Sequence, residues 1–199
     1  MSNEQPWILQ QESWSNIAAR AINLPMSEIG QAHFSMKPFI FEASTAVSST
    51  QEALYSFHEN PKNISCIAPR SLVVQEVACD EKAEQGGIFR IHANQFGLPI
   101  RWTGRWEKAE RPTLLVDMAI SSPFAIWKHS HRFSPLPEGA LLTDRVEYLL
   151  KGGLFGTVVS RFVMPLVFTG MFRARHAATR RYFSKINSTS RESSRSKAE

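Results

Sequence analysis

Cysteine is scarce in this sequence, which contains only Cys66 and Cys79. Two cysteines fit neither the ligand spacing of a metal site nor a disulfide framework. A reducing compartment is therefore expected, with the cytoplasm as the default location. The N-terminus has neither a basic start nor a compact apolar run, so it does not read as a signal peptide. Internal repeats are also lacking.

Net positive charge is confined to the C-terminal end. The net charge is +5, and residues 173–199 contain eight Lys or Arg and two Glu, so the remaining residues sum to about −1. A body without net positive charge is not expected to bind nucleic acid specifically. Residues 187–199 are rich in Ser, Arg and Lys and are predicted to be a disordered basic tail. Such a tail increases solubility, and it is also the part of the chain suited to an anionic membrane surface.

One long apolar stretch, Gly153–Phe172, has the length of a membrane span. Arg161 lies near its middle, where a charge costs about 2.5–3.5 kcal/mol in a bilayer. The strands that precede it also need an apolar element to cover their inner face. We therefore predict a core helix here, with no membrane span.

The order of patterns along the 199 residues predicts three parts. Residues 1–35 form an N-terminal extension with one amphipathic helix at 10–22, residues 36–186 a domain, and residues 187–199 the tail. Within the domain a strand at 38–47 precedes two short helices at 51–58 and 61–68. Further strands are predicted at 71–79, 88–95, 100–108, 113–120, 127–133 and 141–150. One long helix, residues 154–186, follows and should be kinked by Pro165.

The two-residue period of a strand places an aromatic and imidazole set on one face of the 127–133 segment. That set is Trp127, His129, His131 and Phe133. A hairpin turn centred on Pro137-Glu138 makes this face meet the apolar face of the next strand. The predicted cross-strand pairs are His131 with Asp144, His129 with Val146 and Trp127 with Tyr148.

Three interpretations of this cluster are open. In the first, His131 and Asp144 form an oriented acid/base pair, with His129 as a second proton carrier. In the second, these residues form a polar network whose hydrogen bonds are all satisfied. In the third, His129 and His131 bind a metal ion with Asp144 as the third ligand. The network is favoured because no nucleophile is evident, and no metal or cofactor is expected. Asp117 is expected to be exposed or at a bend. The gap at Gly104, between Trp102 and Trp106, suits a ligand or, better, the C-terminal helix.

Several short motifs together resemble the SRPBCC, or START-like, superfamily over residues 36–186. They are Phe57-His58-x2-Pro61-x-Asn63-x3-Ile67-x-Pro69, Arg101-Trp102, Asp117, Pro123-Phe124, Trp127-x-His129-x-His131-x-Phe133, Thr143-x2-Val146-x-Tyr148, Gly153-Leu154-x-Gly156 and Phe172-Arg173-x-Arg175. The branch most similar to this sequence is that of small bacterial ligand-binding and polyketide cyclase/dehydrase-like proteins. Ala119, Ser122 and Pro165 depart from the pattern of that branch.

The resemblance implies an α+β helix-grip fold. In it, a curved antiparallel sheet of about seven strands wraps around a long C-terminal helix, with two short helices after the first strand. Members of the superfamily bind lipids, isoprenoids and polyketides in a cavity between sheet and helix. The residues that we expect to line such a cavity are Trp102, Trp127, His129, His131, Asp144, Tyr148, Phe162 and Leu166.

Three functions remain open from the sequence. The favoured one is non-catalytic binding or carriage of a hydrophobic small molecule. The first alternative is a cyclase or dehydratase acting on a carbonyl substrate, with His131, Asp144 and His129 as catalytic residues. The second is a membrane-peripheral or protein-interaction module that uses the 10–22 helix and the basic C-terminus. The sequence leaves the ligand and the oligomeric state open.

Overall fold

A computed structural model of the chain describes residues 37–79 and 82–196, with side chains as far as Thr189. The predicted N-terminal extension and its helix at residues 10–22 lie outside these ranges, and so do the last three residues of the predicted tail. Within the described ranges, seven strands, four α-helices and one 3-10 turn follow one another along the chain.

The seven strands form a single antiparallel sheet in the order β1-β7-β6-β5-β4-β3-β2. Their bounds are β1 (Phe39–Val47), β2 (Leu72–Cys79), β3 (Ile88–Gln95), β4 (Leu98–Glu110), β5 (Leu114–Ser121), β6 (Phe124–Leu136) and β7 (Gly139–Leu150). Irregular register in the β2–β3, β4–β5 and β6–β7 pairs marks bulges, which bend and twist the strands that carry them. The predicted seven-stranded antiparallel sheet is confirmed.

Two short helices follow β1, as predicted. They are α1 (Gln51–His58) and, after a 3-10 turn (Pro61–Asn63), α2 (Ile64–Ile67). The side chain of Thr50 caps α1 by accepting the N–H of Ala53 at 3.1 Å. The buried ring of Tyr55 packs edge-on against Phe133 of β6, with 5.5 Å between ring centroids. Helix α1 therefore covers part of the inner face of the sheet.

The β6–β7 hairpin has the predicted register. His131 lies opposite Asp144, His129 opposite Val146 and Trp127 opposite Tyr148. Gly139 ends the turn with a φ of +136°, and a Cβ on it would meet the Val47 carbonyl oxygen at 2.3 Å. Only glycine permits both this backbone conformation and the close approach of β1.

The C-terminal helix is broken in two. Helix α3 (Gly153–Phe162) and helix α4 (Met164–Ser196) are separated by Val163 and bent by 50°. The predicted kink is present but begins before Pro165, which lies in the first turn of α4, where its missing N–H is not needed. Helix α4 also continues past residue 186 to Ser196, into the segment where a tail is predicted. The division into domain and tail itself stays a prediction.

One stripe of α4 packs on the inner face of the sheet. It consists of Phe168, Phe172, His176, Thr179 and Phe183, all buried. Their spacing of three or four residues places them on one side of a helix. The Phe172 ring lies 5.3 Å from Phe41 of β1, and the Phe168 ring lies 4.7 Å from Tyr148 of β7. The predicted helix-grip arrangement is confirmed in this pairing of sheet and helix.

The gap at Gly104 is filled from within the sheet. Phe89 of β3 is the cross-strand partner of Gly104 on β4, and a Cβ on Gly104 would meet the Phe89 ring at 2.3 Å. A phenyl ring laid over a glycine on the neighbouring strand replaces the packing that the glycine lacks. The expectation that a ligand or the C-terminal helix occupies this gap is therefore wrong.

Candidate functional site

Asp144 lies at the centre of a buried cluster of polar side chains on the inner face of the sheet. Its Oδ1 accepts hydrogen bonds from His129 Nε2 at 3.0 Å and His131 Nδ1 at 2.6 Å. Its Oδ2 accepts from His176 Nε2 of α4 at 2.7 Å. We call these four residues the polar centre. All four are buried, and Asp144 is inaccessible to solvent.

The imidazoles keep Asp144 ionised. Burial raises the pKa of its carboxyl group, but the nearby His131 and the three imidazole hydrogen bonds outweigh that effect and hold the pKa well below its ordinary value. A carboxylate that accepts three N–H bonds is compensated for the loss of water. Asp144 is thus a buried carboxylate whose lost hydration is replaced by imidazole donors.

The histidines of the hairpin are neutral near neutral pH. Burial, followed by the neighbouring His129, lowers the pKa of His131 to about 4. Burial also lowers the pKa of His129. A neutral imidazole has one N–H, and each of these two rings uses it for Asp144. The predicted catalytic trio of His131, Asp144 and His129 is therefore assembled, with its N–H groups occupied inside the cluster.

Asp117 joins this cluster, contrary to the expectation that it is exposed or at a bend. It is 6% exposed and lies opposite His129 in the β5–β6 ladder, so both side chains share the inner face. Its Oδ1 accepts from Trp127 Nε1 at 3.4 Å. Its Oδ2 lies 3.7 Å from His129 Nδ1 and 4.0 Å from His131 Nε2. Burial raises the pKa of Asp117 to about 6.

Sequence reasoning missed two further histidines of the site. His176 belongs to the buried stripe of α4, and its helical spacing from Phe168 and Phe172 was the available signal. His58, predicted only to end a helix, is buried with its ring 5.4 Å from that of His131. Its Nδ1 donates to the Leu54 carbonyl at 2.8 Å, while Nε2 has no partner. Burial and the nearby His131 lower the pKa of His58 to about 3.

A group of aromatic rings adjoins the polar centre. We call it the aromatic wall, and it comprises Trp102, Phe124, Trp127, Tyr148 and Phe168. Trp127 contacts Trp102 edge-on at 4.9 Å and Phe124 at 4.8 Å between ring centroids. Trp102, Phe124 and Trp127 are only half-buried. The aromatic wall is thus closed to solvent at Tyr148 and Phe168, under α4, and partly open to solvent at its other three rings.

Six of the eight residues predicted to line a cavity come together on the inner face. They are Trp102, Trp127, His129, His131, Asp144 and Tyr148. Phe162 and Leu166 do not join them, because 65% and 75% of these side chains are exposed.

Helix α3 packs on the sheet through its small residues. Gly156 and Ser160 are its buried positions, and the Ser160 carbonyl accepts the Tyr148 hydroxyl at 3.1 Å. The prediction of a core helix is therefore wrong for α3. Its large apolar side chains, with Leu166 of α4, form an exposed group that we call the apolar ridge: Leu154, Phe155, Val158, Phe162 and Leu166.

A groove of about 350 Å³ opens between β1 and α4. Phe41 and Phe172 form its apolar part, and Arg173 and Arg180 belong to its lining. His176 also lines it, so the groove reaches the edge of the polar centre. Among the described helices, none alone is long and apolar enough to cross a membrane; α3 and α4 reach that composition only as a bent pair.

Comparison with solved structures identifies the fold. No protein-family model matches the sequence, and no curated protein matches it. The chain is similar to the Zhui aromatase/cyclase from Streptomyces sp. R1128 (15% identity, TM-score 0.58, covering 74% of this chain and 94% of that one). It is also similar to a START superfamily protein from Mycobacterium smegmatis (12% identity, TM-score 0.55, covering 74% and 98%).

A third similar structure is the di-domain aromatase/cyclase StfQ of the steffimycin biosynthetic pathway (13% identity, TM-score 0.61). This likeness covers 76% of the present chain and 53% of StfQ. At such identities the similarity establishes the fold alone. The chain has the START-like, or SRPBCC, helix-grip fold, as its motifs indicate.

Proposed function

We propose that this protein binds a hydrophobic small molecule in the groove between β1 and α4. The observation that carries the proposal is the groove itself, whose volume of about 350 Å³ falls in the range of small-molecule sites. Like the cavity that the START-like resemblance implies, the groove lies between the sheet and the C-terminal helix, but its lining includes none of the eight residues predicted to line that cavity.

The floor of the groove suits an apolar ligand. The Phe41 ring lies 5.3 Å from Phe172 and 5.6 Å from Phe168. Phe168 belongs to the aromatic wall, so the apolar surface continues from the groove into the core. Flat rings and hydrocarbon chains gain about 25 cal/mol for each Å² of apolar surface that they bury on such a floor.

The rim of the groove suits an acidic group on that ligand. Arg173 and Arg180 are exposed at the lining and outnumber Glu42, the acidic residue there, and guanidinium groups bind carboxylates through paired N–H bonds. Arg180 also donates to Thr45 Oγ1 of β1 at 2.6 Å, which orients it along the strand. The ligand class is therefore a lipid-like, isoprenoid or polyketide-like acid.

Binding without catalysis is the form of the proposal that the polar centre supports. A general acid or base must reach the substrate proton, and His129, His131 and Asp144 are buried and do not line the groove. Because solved aromatase/cyclases have the same fold, a cyclase or dehydratase activity stays as the alternative prediction. Under that alternative, His131→Ala would abolish turnover without a large loss of stability.

A matched pair of substitutions on β1 tests the proposal. Ala43 lines the groove, whereas Ala46 is exposed on the same strand and is not part of the lining. Ala43→Phe should weaken binding of oleate, followed by displacement of a fluorescent naphthylamine probe, by at least about tenfold. Ala46→Phe should leave it unchanged. Absence of saturable oleate binding by the parent protein, or equal losses in both variants, would overturn the proposal.

A second candidate function rests on the apolar ridge. Its exposed side chains lie next to Lys151 and Arg161, and a ridge of this kind suits the surface of an anionic membrane. Phe155→Ser should then reduce sedimentation with phosphatidylserine vesicles, and high salt should reduce it further. Equal sedimentation of parent and variant would exclude this function.

A further inference from the structure

Three acceptor atoms face one another beside the polar centre. The neutral rings of His129 and His131 each give their N–H to Asp144, so His129 Nδ1 and His131 Nε2 carry lone pairs. These nitrogens lie 3.7 Å and 4.0 Å from Asp117 Oδ2. Both separations are too long for hydrogen bonds. Two lone pairs and a carboxylate oxygen thus meet in the core with no hydrogen bond between them.

The spacing of these atoms suits a metal ion. One ligand atom from each of Asp117, His129 and His131 lies within 4.8 Å of the other two. In a tetrahedral site with bonds of about 2.1 Å, neighbouring ligand atoms are about 3.4 Å apart. The two observed separations from Asp117 Oδ2, 3.7 Å and 4.0 Å, exceed this value by less than 1 Å, and the two histidine nitrogens lie within 4.8 Å of each other.

Asp144 holds both histidines in the orientation that a metal requires. Histidine ligands usually donate their second ring N–H to a carboxylate, which fixes the tautomer and the angle of the ring. Asp144 Oδ1 accepts such a bond from both rings, while His176 fixes its other oxygen at 2.7 Å. The orienting carboxylate is therefore already in place.

The surrounding charges balance in favour of a cation. Asp117 and Asp144 provide two carboxyl groups, and the nearby Arg175 guanidinium favours the ionised form of Asp117. Arg175 itself opposes a cation by repulsion, but its side chain is only half-buried. His58 adds a neutral imidazole beside His131, with Nε2 unpartnered. A cation at this position would therefore meet more negative charge than positive.

We propose that Asp117, His129 and His131 bind one divalent transition-metal ion, with Asp144 as the residue that orients the two histidines. Two imidazoles and one carboxylate are a ligand set typical of Zn²⁺ and Fe²⁺, and three protein ligands leave a further coordination position open. Asp144 is thus not the third ligand that the His-x-His pattern suggested. The site is separate from the groove, so either proposal can fail alone.

Spectroscopic titration of the full chain tests the site. After treatment with a chelator, Co²⁺ should bind with a stoichiometry of one, give the visible absorption bands of low-coordinate Co²⁺, and be displaced by Zn²⁺. Asp117→Asn should lower the Zn²⁺ affinity by at least about 100-fold. Asp144→Asn should lower it by about 10–100-fold, the range for residues that orient histidine ligands.

A surface histidine provides the control. His92 pairs with Glu76 at 3.2 Å and is well exposed, so His92→Ala should leave Co²⁺ and Zn²⁺ binding unchanged. The proposal is overturned if the folded parent protein binds no stoichiometric metal, if Asp117→Asn binds as tightly, or if His92→Ala abolishes binding. If Asp117→Asn does not fold, X-ray absorption spectroscopy of the Zn²⁺-loaded parent protein provides the test. A ligand set with more or fewer than two imidazoles would overturn the proposal.

Discussion

The polar centre and the aromatic wall lie on the same face of one sheet, yet they contribute to the fold in different ways. In the polar centre, three N–H groups converge on Asp144 at 2.6–3.0 Å. In the aromatic wall, rings meet at 4.7 Å and beyond, in tilted and edge-on arrangements. Hydrogen bonds depend steeply on distance and angle, whereas apolar burial tolerates rearrangement. The first region therefore specifies positions, and the second contributes apolar burial that tolerates small shifts.

Removal of the Asp144 carboxylate should produce the largest loss of stability. Asp144→Ala leaves three buried imidazoles without their common acceptor and should lower the free energy of unfolding by about 3–5 kcal/mol. Urea denaturation measures this loss. Glu138→Ala, in the exposed hairpin turn, is the control and should change stability by less than about 0.5 kcal/mol. A loss below about 1 kcal/mol for Asp144→Ala would show that the polar centre does not stabilise the fold.

Truncation of the aromatic wall should have a slightly smaller effect. Phe168→Ala removes a buried ring and should cost about 3 kcal/mol, since neighbouring rings can partly close the cavity. Phe155→Ala removes the same ring from α3, where 76% of it is exposed, and should cost about 0.5 kcal/mol or less. Similar losses in the two variants would contradict the assignment of burial to α4 and exposure to α3.

Acidification should distinguish the two regions, because only the polar centre and its neighbours titrate. Folding lowers the pKa of His58 to about 3 and that of His131 to about 4. Their stabilising contribution is therefore present above the unfolded value near 6.5 and is lost as pH falls toward 4. Asp117, whose pKa is raised to about 6, offsets part of this loss by stabilising the fold at low pH, whereas His129, whose pKa is also lowered, adds to it.

The expected net loss for the metal-free protein is about 3 kcal/mol between pH 7 and pH 4.5. Urea denaturation at the two pH values measures it. His58→Phe removes one of the titrating groups and should make the fall shallower. Stability that stays level or increases on acidification would contradict the neutral state of the buried imidazoles.

Packing near the aromatic wall can be probed with two Gly→Ala substitutions of opposite expected sign. At Gly104 a Cβ meets the Phe89 ring at 2.3 Å, so Gly104→Ala should destabilise by about 1 kcal/mol. At Gly170, in α4, nothing lies within 4 Å of the added carbon, so Gly170→Ala should stabilise by roughly 0.5–1 kcal/mol. Thermal unfolding compares both with the parent protein. A stabilised Gly104→Ala variant would show that the Phe89 ring is free to move.

The sequence predicted the β6–β7 hairpin well because two independent constraints agree there. Alternation places His129 and His131 on the inner face, and the turn at Pro137-Glu138 sets which residues oppose them. The same reasoning failed for Asp117, because Val116 and Asp117 are both buried and a strand buried on both sides shows no polar face.

The exposure of α3 was not predictable from composition. Its apolar residues surround the helix nearly evenly, so hydrophobicity does not show which side faces the sheet. The packing side is formed by Gly156 and Ser160 instead. A Cβ on Gly156 would meet the Lys151 carbonyl oxygen at 2.4 Å, and such close approach depends on the folded backbone. Small residues at helical spacing were the only signal for this contact.

The hydrogen bond between His176 and Asp144 affects the position of α4 along its own axis on the sheet. Phe168, Phe172 and His176 are spaced by four residues, so a helix displaced by one turn, about 5.4 Å, would still present bulky rings to the sheet. Apolar contacts alone therefore permit sliding. Only the native position brings an imidazole N–H to Asp144 Oδ2, and any other leaves a buried carboxylate oxygen short of a donor. This hydrogen bond, together with that from Arg180 to Thr45 Oγ1, thus sets the axial position of α4, and His176→Phe should weaken that restraint.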